Sequence, residues 1–169
     1  MKNPGKQFEE DFKKSVPPDT YYYRLRDGTG NFDGQKNDNV RFQMTNDYDC
    51  LLYRLPMLYC LELKSTKGTS IGMQEPKGKT KMIKQSQIKG LTKAGAFKGI
   101  CAGFILNWRT TVNTYFLSIH DFNRYNSETT RKSINEKDVI GYGGIVIAHR
   151  KLQVNFRYDV DRFMKGIET

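Results

Sequence analysis

Histidine, tryptophan and cysteine are scarce in this chain of 169 residues, which holds two, one and three of them. His120 and His149 lie far apart and form no ligand spacing, so nothing points to a histidine-built metal centre. Cys50, Cys60 and Cys101 each fall inside an apolar run, and none has C-x-x-C or zinc-ligand spacing. They read as reduced core thiols of a cytosolic protein. No apolar run approaches the ~20 residues of a membrane span. The opening MKNPGKQFEEDF lacks the apolar stretch of a signal peptide. Neither an internal repeat nor a low-complexity linker is present. The expectation is one domain over residues 1–169, cytoplasmic and without a membrane partner.

Positive charge, by contrast, is in excess. Lysine and arginine number 28 against 18 acids, a net charge of +10. Such an excess favours polyanions, nucleic acid before an anionic membrane surface. The hydrophobic fraction of 37% and aromatic fraction of 12% suit a folded domain rather than a disordered one.

Residues 5–16 carry Phe8, Phe12 and Val16 on one helical stripe. YYYRLRD, from Tyr21, reads as a strand that stops at a segment rich in Gly, Asn and Asp. VRFQMT is a further short extended piece. YDCLLYR and MLYCLELKS read as strands joined by a turn at Leu55-Pro56. Residues 65–81 read as a mobile basic loop. Residues 81–97 have helical spacing, GICAGFILNW and TYFLSIHDF are apolar strands, and residues 128–143 read as a polar loop with a helical turn. GIVIAHRK and LQVNFRYD look like a final hairpin, and DVDRFMKGI a closing helix. The fold class is α/β, a mixed sheet flanked by helices.

The chemistry concentrates in NDYDCLLYRLPMLYCLELKS, residues 46–65. Side chains alternate along a strand, so Glu62 and Lys64 share a face and Leu63 takes the other. Asp49 opens the preceding strand, and pairing of the two strands brings its carboxylate toward Glu62. Two converging carboxylates suit a hard cation such as Mg²⁺. A lysine beside them can position water or neutralise charge on a phosphate. From E-x-K alone, a solvated ion pair is the simpler reading. Gln87 changes the balance: on a helical wheel it falls among Ile83, Leu91, Ala94 and Phe97, and a polar group in an apolar stripe needs a partner.

The order and spacing of these residues resemble the PD-(D/E)xK nucleases, and within them the RecU-type Holliday junction resolvases. GKQFE, ending at Glu9, resembles that family's opening G-x-x-F-E. Asp49 and Glu62 have its D-x(12)-E spacing, and ELK stands where it commonly has EAK. IKQSQIKGL is similar to I-x-x-H-Q-x-x-x-L, with Ser86 in place of the histidine. KGICAGFIL and RKSI resemble later stretches. The family's aspartate is usually followed by Tyr and Gly, so Asp47, which precedes Tyr48, is an alternative or additional ligand; its spacing to Glu62 favours Asp49.

The resemblance implies a restriction-endonuclease-like core and a metal-dependent endonuclease that resolves four-way junctions as a homodimer. The host would be a bacterial or phage-infected cell, and a compact member would suit a phage. The implied catalytic set is Asp49, Glu62, Lys64 and Gln87, with Glu9 as a supporting acid that orients water at the metal. The implied ligands are Asp49, Glu62 and the Leu63 main-chain carbonyl, for Mg²⁺ or substituting Mn²⁺. Lys67, Lys77, Lys79, Lys81 and Lys84 are candidates for phosphate contacts. Residues 28–45 are a candidate projecting segment for the junction centre. Tyr21, Tyr22 and Tyr23 read as strand residues that can also stack on bases. The competing readings are another PD-(D/E)xK nuclease and a basic DNA-binding module without catalysis.

Overall fold

The computed structural model describes residues 3–25, 46–75, 77 and 81–168. The candidate projecting segment, VRFQMT and Lys79 lie outside the described residues. The architecture is a six-stranded sheet with helices on both faces.

The first helix, α1, spans Pro4–Lys13, with Asn3 as its N-cap accepting from the Gly5 amide at 2.9 Å. Then come β1 (Tyr21–Arg24), β2 (Cys50–Arg54) and β3 (Met57–Thr66). After β4 (Ser70–Gly72), helix α2 (Gln85–Gly95) crosses to β5 (Ile100–Trp108). The strand β6 (Asn113–Ser118) leads into α3 (Ile119–Glu128), β7 (Ser133–Asn135) and α4 (Glu136–Gly141). The chain closes with β8 (Ile145–Val146), β9 (His149–Lys151), β10 (Phe156–Tyr158) and α5 (Val160–Glu168). The sheet order is β1-β2-β3-β5-β6-β8. Only the β3–β5 pair among these is parallel, from Leu58↔Ile100 to Thr66↔Trp108, as a helical crossover requires.

Alternation along β3 divides the core. Tyr59, Leu61 and Leu63 face one layer with Phe8, Phe12 and Phe163 of α1 and α5. Cys60 faces the other with Ile88 and Leu91 of α2 and Phe122 of α3. Glu62 and Lys64 follow Cys60 in phase and therefore open toward α2.

Several boundaries differ from the sequence reading. TYFLSIHDF is not one strand: β6 stops at Ser118, whose Oγ accepts from the Asp121 amide at 3.0 Å and starts α3. Residues 128–143 hold β7 and α4, the latter opened by a reciprocal cap between Asn135 and Asp138. The segment read as a mobile basic loop contains β4, paired with β7 through Ile71↔Ile134; burial of Ile71 and Met73 anchors it. The final hairpin is shorter than expected, because Ile145–Val146 joins the main sheet and only β9 pairs β10. Cys50 and Cys60 are buried and Cys101 half-buried, all as free thiols. Phe97 does not continue the buried stripe; α2 ends at Gly95, and Phe97 is 61% exposed. No described helix is long and apolar enough to cross a membrane.

Phe104 is fully buried, with its ring centroid 4.7 Å from that of Phe122. Phe104→Ala is expected to cost about 3–5 kcal/mol in urea unfolding. Phe97→Ala is expected to stay within about 0.5 kcal/mol of wild type.

Candidate active site at the β2–β3 edge

The site starts from a register difference. Cys50 is the first residue of β2 and pairs with Leu61, whereas β3 runs on to Thr66. Asp49 continues the pairing by one bond, its amide donating to the Leu61 carbonyl at 3.0 Å. Its side chain then occupies the edge that β2 leaves uncovered, where Oδ2 accepts from the Leu63 amide at 2.8 Å. The N–H and C=O of an extended residue point to the same edge, so the Leu63 carbonyl opens on Asp49's side.

Glu62 is 1% exposed, although it is a carboxylate. Its Oε1 accepts from Lys64 Nζ at 2.5 Å and from Gln87 Nε2. Asp49 lies within hydrogen-bonding reach of the same carboxyl group. Burial is the largest influence on Glu62 and the Asp49 charge the next; Lys64 opposes both. The result pushes the Glu62 pKa from 4.5 up to about 8.

Gln87 is oriented by its own helix. Its Oε1 accepts from the Lys84 amide at 2.9 Å, half of a capping box at the start of α2. With the oxygen committed to the backbone, the amide nitrogen must face Glu62. The helix terminus thus sets the direction of the bond that holds the carboxylate.

The other expected residues lie at differing removes. Glu9, on α1, is paired with Arg24 of β1 at 2.6 Å. Its charge is felt at Cys50 together with those of Asp49 and Glu62, which puts it near the same strand ends. Asp47 is exposed and sits over α2, where its side chain fills the space beside Gly90. Residues 47–49 form a bend before β2 begins, so strand alternation does not place Asp47 beside Asp49. Among the described residues no group of three or more His, Cys, Asp or Glu side chains is arranged to hold a metal ion. The donors brought together are the Asp49 and Glu62 carboxylates and the Leu63 main chain. That set is all hard oxygen, and a bound cation would offset the repulsion that raises the Glu62 pKa; it suits Mg²⁺.

Lys67, Lys77, Lys81 and Lys84 are exposed. Lys67 follows β3 directly, Lys81 lies along Gly72 of β4, and Lys84 precedes α2. Of the three tyrosines, Tyr21 and Tyr23 are exposed, while Tyr22 is half-buried against the α1 layer and has Lys13 Nζ 5.8 Å from its ring centre.

Sequence reasoning missed two supports. Arg24 lies 15 positions beyond Glu9 with no local signal linking them. The cap at α2 was concealed because its N-cap is Lys84 rather than Ser, Thr or Asp, although Gln87 stands at the position a capping box uses.

This topology defines a restriction-endonuclease-like α/β fold. Among solved structures it is similar to that of Hjc from Archaeoglobus fulgidus, a Holliday junction resolvase from an archaeal hyperthermophile. The TM-score is 0.52 over 84% of this chain and 95% of that one, at 14% identity, so the likeness is one of fold. In sequence the chain is 36% identical over 139 residues to the SPbeta prophage-derived uncharacterized protein YotM of Bacillus subtilis (strain 168). The match covers 81% of this chain and 64% of that protein, so the chain spans less than two thirds of the relative's length. No family model matches.

The Glu62 pKa has a consequence for stability. The unfolded chain releases this proton near 4.5 and the folded chain keeps it to about 8. A raised folded pKa contributes stability that is full below the unfolded value and lost as pH rises through the folded one. In EDTA, urea unfolding of wild type is expected to lose stability between about pH 4.5 and about pH 8 relative to Glu62→Gln, which cannot ionise. Parallel profiles would mean that Glu62 is already ionised in the folded protein at acid pH.

Proposed function

We propose that this chain is a Mg²⁺-dependent DNA endonuclease that cuts four-way junctions by phosphodiester hydrolysis, acting as a homodimer in recombination and repair. The observation that carries the reading is the buried Glu62, held by Lys64 and Gln87 beside Asp49 at an open strand edge. The shared fold with a Holliday junction resolvase and the net charge of +10 support it.

Each residue has a role in this reading. Asp49 and Glu62, with the Leu63 carbonyl, hold the cation. When bound, Mg²⁺ supplies Lewis-acid stabilisation of charge on the phosphate and favours ionisation of the attacking water. Lys64 shares the Glu62 face and donates to its carboxylate, so its ammonium would be at hand for the attacking water and a non-bridging phosphate oxygen. There it orients the water and offsets negative charge that grows in the transition state. Gln87 fixes the Glu62 rotamer from α2. Glu9, steadied by Arg24, keeps a second negative group at the strand ends to order water. The lysines around α2 and the end of β3 track the strand through its phosphates. A dimer would match two such sites to the two-fold symmetry of a junction.

The test is cleavage of a mobile four-way junction, a linear duplex and a single strand, with Mg²⁺ or EDTA. Wild type is expected to nick opposing strands of the junction only, and only with the metal. Asp49→Asn and Glu62→Gln are each expected to lose at least about 10²-fold in rate. Lys84→Ala is expected to weaken binding of all DNA sequences alike and to lower the salt dependence of that binding. Equal cutting of all three substrates would remove junction specificity. Tight junction binding without cutting under any metal would leave a non-catalytic DNA binder.

A further inference from the structure

A second concave feature lies on the opposite side of the sheet. Ser65 follows Lys64 along β3 and points to the other face, so it stands behind the carboxylate centre. It lines a cavity of about 210 Å³ walled by Phe8 of α1 and by Phe156 and Tyr158 of β10. That volume is below the ~300 Å³ at which pockets for drug-sized ligands begin. It suits a single ring system.

The rim is unusual in two ways. Val112, in the β5–β6 turn, lines the mouth with φ of +60°, although it is β-branched and 37% exposed. A β-branched residue in that region is strained, and such strain gathers at ligand clamps. Facing it, Val154 of the β9–β10 loop is 83% exposed. Two aliphatic side chains from separate turns thus flank one opening.

The wall is fixed by a buried carboxylate. Asp11 is 2% exposed and accepts from Gln7 Nε2 at 2.8 Å and from the Phe156 amide at 3.0 Å. Gln7 Nε2 also reaches Asn155 Oδ1 at 3.1 Å, which ties the loop carrying Val154 to α1. The slot is therefore held open by its own framework.

Its chemistry matches a flat apolar ring with a polar edge on an anionic chain. The walls combine aromatic and aliphatic side chains with the polar groups of Gln7, Asp11 and Asn107. Ser65 donates its proton to Asn107 Oδ1 at 2.8 Å, so its lone pairs can accept from an amino or imino group. Arg109 also lines the cavity, and a guanidinium can pair with a backbone phosphate. We propose that this cavity receives an unpaired nucleobase of the DNA substrate, from a nucleotide that reaches round the open β3 edge from the cut phosphate. The proposal rests on the nuclease reading and adds the substrate feature that reading lacks, a base taken out of its stack beside the site.

The experiment places 2-aminopurine at successive positions flanking the cut site of a four-way junction. The junction is bound to the Asp49→Asn protein in EDTA, and fluorescence is read with affinity. One or two positions are expected to brighten several-fold, because the base leaves its stack. Val154→Glu, at an exposed position, is expected to abolish the brightening at protein concentrations that still saturate the junction. Leu152→Glu, on the same loop but outside the cavity lining, is expected to keep it. Tight binding with no brightening at any position, or brightening that survives Val154→Glu, would overturn the base pocket and leave the nuclease reading standing. Failure to bind DNA at all would overturn both.

Discussion

A carboxylate with almost no contact with water must obtain its solvation from the protein, and Glu62 is that group. At 1% exposure its charge is opposed by burial and by Asp49. Lys64 and Gln87 donate to it, and Asp49 lies within hydrogen-bonding reach of the same carboxyl group. Each surrounding feature answers this constraint. The period-two alternation of β3 puts Lys64 beside it, the start of β2 only at Cys50 leaves Asp49 at the open edge of β3, and the cap of α2 turns the Gln87 amide inward. Burying a charge with incomplete pairing is costly. A site that binds a cation gains from that cost, because the cation then supplies what the fold withholds.

The same constraint explains how the two faces of the sheet divide. The α2 face carries the carboxylate centre and the exposed lysines around the helix start. The α1 face carries the aromatic cavity, one residue further along the same strand. Leu63, between Glu62 and Lys64, packs into the α1 layer and locks the register of both. A slip of one residue would exchange the faces and bury the leucine's partners in the wrong layer. The chemistry and the packing of β3 are therefore one specification.

Much of this was legible in the sequence where local rules decide. The apolar stripe of Phe8 and Phe12 gave α1, and the alternation in MLYCLELKS gave the shared face of Glu62 and Lys64. The polar Gln87 in an apolar stripe called for a partner without naming it, and in the fold that partner is Glu62. What the sequence hid depends on tertiary context. Residues 119–122 look like a continuation of β6 because Ile119 and Phe122 extend its apolar run, and the Ser118 cap that starts α3 there is a single hydroxyl. The strand β4 was concealed by the lysines and glycines around Ile71, whose burial is decided by pairing with β7. Spacing favoured Asp49 over Asp47 but left Asp47 as an additional ligand; the bend at 47–49 directs one to Gly90 and the other to Leu63. The cavity is assembled from α1, two turns and β10, and no contiguous pattern announces it.

Calorimetric titration of Mn²⁺ into the protein near pH 7, repeated in buffers of different ionisation enthalpy, tests the central claim most directly. With the Glu62 pKa at about 8, cation binding must displace its proton. The account predicts saturable binding with proton release approaching one per site, lost in both Asp49→Asn and Glu62→Gln. Absence of binding, or binding that is unchanged in those variants and releases no proton, would contradict it.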